Sequence, residues 1–301
     1  MKSLLICVVF IHSLLAFDYT LKPEKVSAET HCFFGLPEVM DEHNNGNMVN
    51  SCFVNMGTSY LVIDSGPTYL YAKQAYSKMK NIKDLPISYV INTHVHDDHW
   101  LGNGYYEELG VKIIGSNEFS NETKVELTRM QKRISPEAYK KTTQVFPTIF
   151  VNDEKVLNLD EKKVYIKSVN KKAHTKSDLL IHIPDGKIVF VGDLVFNDRL
   201  PSIRDGNLNG WLEGLDEVRA MDVDFIVGGH GEIVDRTSID MTYEYIKTLR
   251  DRVAELLKDG EDIADVVNIV KMEKFKNIHF YDSMHRQNVE IAYRMLEWGS
   301  E

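Results

Sequence analysis

Residues 93–99 read Thr-His-Val-His-Asp-Asp-His, placing three imidazoles and two carboxylates within one short stretch. His94 and His96 stand two positions apart, so in an extended loop their side chains face the same side. Asp98 and His99 then turn together toward a second point. Imidazole and carboxylate donors suit zinc and similar borderline metals. Donors from a single loop cannot complete two tetrahedral sites, so further ligands have to come from distant strand ends. Three residues hold such positions: His174 in Lys-Lys-Ala-His-Thr, Asp193 in Val-Gly-Asp-Leu and His230 in Gly-Gly-His-Gly. Taken singly, each is also what a turn or a cap looks like, and residues 93–99 alone could be a solvated loop. Glycines beside His230 permit close backbone approach. The conjunction carries the inference of a metal centre.

The elements that must position these donors alternate. Ser59 to Asp64 and Ile87 to Asn92 are short apolar runs that end in turn chemistry, as strands do. Tyr69 to Met79 has helical spacing between them, and Gly102 to Leu109 opens a further helix before a strand at Val111 to Ile114. Strand–helix–strand alternation predicts α/β layers. The polar segment 119–144, with Leu127, Met130 and Ile134 on one stripe, is predicted to be a helical insertion over the body. Strands resume at Thr148–Val151, Val164–Val169, Leu179–Ile183 and Lys187–Val191. Trp211, Leu212, Leu215 and Val218 mark a helix, and Phe225–Val227 a strand. Beyond 236 the pattern is helical to the end, with Tyr245, Leu249, Val253 and Leu256 at helical steps.

The chain has 301 residues, with 45 acids against 35 bases and a net charge of −10. An acidic surface repels phosphate backbones, which argues against a nucleic-acid partner. An apolar fraction of 43% excludes a disordered chain and leaves ample material for a core. Residues 1–16 read as a signal peptide, with basic Lys2, an apolar run from Leu4 to Leu15 and small Ala16. The other reading is a buried N-terminal element. The run is too short to span a membrane, which takes about 20 residues. Periplasmic or secreted placement follows as the expectation. Of the cysteines, Cys7 would leave with the signal. Cys32 and Cys52 lie in two apolar stretches, His31–Leu36 and Met48–Met56, that read as antiparallel strands joined by a polar loop. A disulfide and two buried thiols both fit this pattern. No boundary divides 17–301, so it reads as one domain, with a core at about 30–235 and a helical part at 236–301.

The sequence resembles the metallo-β-lactamase superfamily over roughly residues 30–260. The resemblance rests on ordered motifs: Val-Ile-Asp64-Ser-Gly, Thr-His94-Val-His96-Asp-Asp98-His99, Gly102-Asn103, His174-Thr, Gly-Asp193-Leu and Gly-His230-Gly. It implies a four-layer αββα sandwich with C-terminal helices and a dinuclear zinc site. His94, His96 and His174 would hold the first metal, Asp98, His99 and His230 the second, and Asp193 would bridge both. Asp64 would support the ligand loop without ligating. Within the superfamily, Asp193-Leu-Val-Phe, Arg199-Leu-Pro-Ser and Gly206-Asn-Leu-Asn-Gly-Trp211 resemble the exported hydrolases associated with sulfur oxidation and quinoprotein relay systems. Two departures stand out. Lys171-Lys172-Ala173 replaces the glycine usual before the third histidine, and Ser177 replaces a glycine ahead of Asp178.

The chemistry so implied is hydrolysis of a small amide, ester, thioester or lactone, β-lactams included, by a metal-bridging hydroxide. Asp98 would orient that nucleophile and carry its proton. Asn207 or Asn209 would bind an oxyanion, unless Asn209 caps the helix before Trp211. Trp100 and Trp211 would wall the cleft, although core burial is the commoner use of such rings. No basic cluster for a glutathione carboxylate is visible; the Lys171–Lys172 pair reads as a solvated face. Two alternatives accompany this reading: a mononuclear iron persulfide-type oxygenase of the same fold, and a non-catalytic metal-binding protein.

Overall fold

The computed structural model describes residues 17–169 and 171–299. The predicted signal peptide lies outside the described residues. Two sheets are present. The first contains β1 (Glu24–Lys25), β2 (Thr30–Phe33), β3 (Ser51–Asn55), β4 (Tyr60–Ile63), β5 (Ile87–Ile91), β6 (Lys112–Ser116) and β7 (Ile149–Val151) in sequence order. Its strands run antiparallel through β4 and parallel from there on. The second contains β8 (Glu154–Leu159), β9 (Lys162–Ser168), β10 (Leu179–Ile183), β11 (Ile188–Phe196) and β12 (Phe225–His230), in the order β12-β11-β10-β9-β8.

Successive side chains of a strand point to opposite faces, and the central strands show where each face goes. In β4, Leu61 and Ile63 enter a core shared with Ile181 and Phe190 of the second sheet. Tyr60 and Val62 face the opposite way, into a core with the helix α1 (Tyr69–Ile82). In β11, Ile188 and Phe190 face the first sheet, whereas Val189 and Val191 pack toward helices. Strands apolar on both faces have to be covered on both, which yields four layers.

The remaining helices follow the chain. The single turn α2 (Asp97–Trp100) and α3 (Asn103–Glu108) precede β6. A one-turn α4 (Pro136–Tyr139) interrupts the 119–144 segment. The second sheet is covered by α5 (Leu208–Ala220), α6 (Asp240–Lys258), α7 (Ile263–Ile269) and α8 (Tyr281–Glu297). Among the described residues no helix is long and apolar enough to cross a membrane.

Three local expectations need correction. Segment 119–144 is not a helix; apart from the end of a 3-10 turn and α4 it is turns and loop. Met130 and Ile134 reach the core from those turns, while Leu127 stays 47% exposed, so the apparent stripe is two anchors and a surface residue. Strand β8 lacks a clear apolar alternation, because a half-buried Lys155 takes an inward position and Val156 is exposed. Strand β11 runs five residues past Val191 and carries Asp193 within it.

Cys32 and Cys52 are directly paired across β2 and β3 and joined as a disulfide. The bridge lies in the core between the sheets and spans 20 residues of sequence. Loop closure of that length is worth about 3 kcal/mol. Replacing both cysteines with alanine should lower the melting temperature by roughly 5–10 °C. Calorimetry of the double variant, with mass mapping of unreduced peptides in the parent, checks this.

Candidate metal centre

All seven donors anticipated from the sequence meet at one end of the sandwich. They form two groups, His94 with His96, His174 and Asp193, and Asp98 with His99 and His230. The loop after β5 supplies the first two, His94 from a bend and His96 from extended backbone. The single turn of α2, which starts beyond His96, then rotates Asp98 and His99 toward the second group. His174 follows β9, Asp193 sits in β11, and His230 ends β12.

Asp193 faces both groups at once. Its Oδ2 lies 3.6 Å from His94 Nε2 and 3.3 Å from His174 Nε2. Its Oδ1 lies 3.1 Å from His99 Nε2 and 3.3 Å from His230 Nε2. In the first group His96 Nδ1 is 3.2 Å from His94 Nε2 and 3.0 Å from His174 Nε2. Tetrahedral ligands at zinc bond lengths of about 2.0–2.1 Å stand about 3.3 Å from one another, so the spacing suits a small tetrahedral cation. His99 Nε2 and Asp193 Oδ1 are buried and have no hydrogen-bond partner beyond their 3.1 Å approach to one another. Buried polar atoms so placed ask for an explanation, and a bound ion supplies one.

The polarity of each ring is set from behind. Asp64 leaves β4 with a positive φ of 55° and turns its carboxylate under the ligand loop. It accepts hydrogen bonds from Thr93 N at 2.8 Å, Thr93 Oγ1 at 2.9 Å and His99 Nδ1 at 2.8 Å. Since Thr93 Oγ1 donates to Asp64, it accepts from His94 Nδ1 at 2.9 Å. His230 Nδ1 donates to the Met48 carbonyl at 2.5 Å. Each of these three rings therefore carries a proton at Nδ1 and turns its Nε2 to the centre; burial alone would lower His99, but Asp193 and Asp64 raise it well above its ordinary value. His96 is turned over: its Nδ1 faces the centre and its Nε2 faces Asp205 at 3.3 Å. Behind His174 the Trp211 ring packs edge-on at 5.0 Å.

Burial drives the His94 and His230 imidazoles below their ordinary values, well below for His94, where His99 adds to the effect. Both are thus neutral, as ligands must be. Burial alone would raise the Asp98 carboxyl, but Arg129, with His99 and His230, holds it below the carboxylate range. Burial would likewise raise Asp193, and the His230, His99 and His94 rings overcome it and bring it well below.

Close approach at the strand ends requires glycine. Gly192 has φ +50°, and a Cβ there would sit 2.5 Å from Thr93 Oγ1. A Cβ at Gly229 would collide with Asp193 Oδ1.

A cleft of about 270 Å³ opens onto the donors. None of the anticipated substrate-contact residues, nor Trp211, lines it. Trp100 is buried, donates to the Val95 carbonyl at 2.8 Å and packs on Phe146 and Phe119. Trp211 is fully buried and donates to the Leu194 carbonyl at 2.9 Å. Asn207, not Asn209, caps α5, accepting from Asn209 N and Gly210 N at 3.0 Å. Both asparagines border a separate surface depression beside Lys171 and Lys172. Lys171 is an exposed partner of Glu213, as a solvated face implies.

The residues missed are those that complete the surroundings. Arg129 spans Asp97 and Asp98, with its Nη2 2.6 Å from each. Asn50 donates to the Gly228 and Gly231 carbonyls at 2.9 and 2.8 Å, tying the first sheet to the loop holding His230. Neither bears a sequence signal: an arginine in a polar segment and an asparagine before a strand are ordinary.

Residues 44–230 match the family described as the Metallo-beta-lactamase superfamily. The chain is similar to an acyl-coenzyme A thioesterase of Homo sapiens, 25% identical over 188 residues, covering 56% of this chain and 63% of that protein. It thus spans less than two thirds of that relative's length. It is also similar to the type 2 metallo-beta-lactamase of Elizabethkingia meningoseptica, 24% identical over 199 residues, covering 62% of this chain and 73% of that one. A solved metallo-beta-lactamase from Pontibacter korlensis superposes with a TM-score of 0.59 at 17% identity, covering 75% of this chain and 99% of that chain. That likeness concerns the four-layer fold.

The hydrogen bonds on Asp64 generate a test. Asp64→Asn puts an amide donor where Thr93 and His99 need an acceptor. Metal affinity should fall by about 10–100-fold, read by competition with a chromogenic chelator. Unchanged affinity would remove Asp64 from its supporting role.

Proposed function

The chain belongs to the metallo-beta-lactamase superfamily, and on that premise we propose that it is an exported dinuclear zinc hydrolase of small acyl substrates. The observation that carries this reading is the position of Asp193, with one carboxylate oxygen facing each donor group. Bound zinc supplies a lowered pKa for water, toward about 7, and polarises a carbonyl oxygen. The protein's own residues do the rest. His94, His96 and His174 would hold one ion, and Asp98, His99 and His230 the other. Arg129 keeps Asp98 ionised, and in that form it orients the attacking water and later carries its proton.

Similarity to a thioesterase and to a β-lactamase supports acyl transfer to water, with a thioester, ester, amide or lactone as the substrate class. The cleft volume suits a small molecule. Two filled centres are favoured over a mononuclear iron site, which would leave the second group of Asp98, His99 and His230 idle. The bridged Cys32 and Cys52 support an oxidising compartment and therefore export. Residues 17–301 would form one domain.

Purified protein should carry close to two zinc ions per chain. Turnover of an acyl thioester or of nitrocefin should vanish with a strong chelator and return on adding zinc. Activity that survives complete metal removal would sink the proposal.

A further inference from the structure

The imidazole donors are braced by Asp64, Thr93, Asp205 and the Met48 carbonyl, or, at His174, by packed rings. Asp98 is braced from farther away in the chain. It is buried, and among the described residues the hydrogen-bond partner of its carboxylate is Arg129, whose Nη2 donates to Oδ1 at 2.6 Å. The same guanidinium donates through Nε and Nη2 to Asp97 Oδ1 at 2.9 and 2.6 Å. Nη2 carries two hydrogens, so one goes to each carboxylate. A planar group held on Asp97 has its direction set, and the contact to Asp98 is aimed accordingly.

Arg129 belongs to the 119–144 segment, which has neither a strand nor a long helix to hold it. Three contacts seat its central part instead. Met130 N donates to Asp97 Oδ2 at 3.3 Å. The Met130 side chain is fully buried, and a Cβ at Gly46 would collide with its sulfur. Ser135 donates through N and Oγ to Asn45 Oδ1 at 2.9 and 2.8 Å. So seated, the segment contributes Arg129 and Arg133 to the cleft wall, where the C-terminal residues Phe280, Met284 and Gln287 form another part. A segment with little structure of its own thus carries the side chain that holds a buried metal donor.

We propose that Arg129 is the positioning residue of the second donor group: it takes one oxygen of Asp98 and fixes the carboxylate so that the other oxygen joins His99 and His230 at an ion. The inference deepens the two-metal reading and rests on it. The first group has its partners elsewhere, Thr93 behind His94 and Asp205 behind His96. Its affinity is therefore independent of the 119–144 segment, whereas the second site is complete only with that segment seated. Coupling between two such events is reciprocal. An ion in the second group accordingly holds the segment down, and one wall of the cleft with it.

The test is a zinc titration of the metal-free protein against a chromogenic chelator, resolving two equivalents. Arg129→Met should weaken one of them by about tenfold, as loss of a partner behind a ligating carboxylate does, and leave the other unchanged. Arg129→Lys keeps the charge without the planar fork; it should give a smaller loss, and it stands in should Arg129→Met fail to fold. In the parent, the equivalent that the substitution weakens should also slow hydrogen exchange at the Met130, Arg133 and Ile134 amides. Two equivalents unmoved in both variants, or one bound more tightly, would mean that the guanidinium only repels the ion and would overturn the assignment. So would an equal loss of both equivalents, which assigns Arg129 to the whole ligand loop, or an exchange rate indifferent to zinc. A parent that takes up a single zinc would refute the two-metal reading and this inference together. Two equivalents in the parent that survive the substitution overturn the inference alone.

Discussion

Asp193 has to offer one oxygen to each of two sets of imidazoles while lying buried among them. Most of the molecule can be understood from that constraint. Each set draws on both sheets: His94, His96, Asp98 and His99 come from the loop after β5, and His174, Asp193 and His230 from beyond β9, from within β11 and from the end of β12. The spacing inside each set therefore depends on the spacing of the two sheets, fixed by the apolar side chains interdigitated between them. Interiors packed at crystal-like density transmit small displacements. A core far from the chemistry thus acts as the gauge that holds metal–ligand distances.

A second layer of polar contacts converts that coarse placement into chemistry. Asp64, Thr93 and the Met48 carbonyl take the back nitrogens of His99, His94 and His230, turning the front nitrogens to the centre. Cross-sheet hydrogen bonds from Leu179 N to the Thr93 carbonyl and from Asn50 N to the Gly229 carbonyl brace the same edge. His174 has no such partner at Nδ1 and is positioned by Trp211 and Phe196 rings instead. Packing substitutes there for hydrogen bonding, at the position where Lys171-Lys172-Ala173 departs from the usual glycine.

How much of this was legible in the sequence depended on whether neighbours in space were also neighbours in the chain. Residues 93–99 announce themselves because their donors are consecutive, and the strand ends bearing His174, Asp193 and His230 are marked by apolar runs that stop. The sheets were readable for the same reason, through their short apolar strands. The cleft lining was not. Arg129, Arg199 and Phe280 meet only after folding, and no local pattern links them. Trp100 and Trp211 were drawn toward the cleft by size and position, yet core packing claimed both rings and gave each indole N–H a carbonyl. Segment 119–144 misled because Met130 and Ile134 sit four apart on anchoring turns, which mimics one helical face.

Phe280 and α8 lie outside the stretch that matches the superfamily, whereas every metal donor lies inside it. The C-terminal part thereby lends side chains to a cavity whose donor-bearing floor, with much of its wall, belongs to the stretch that matches the family. Substitutions at Phe280 and along α8 can therefore reshape one wall of the cavity without touching any of the seven donors.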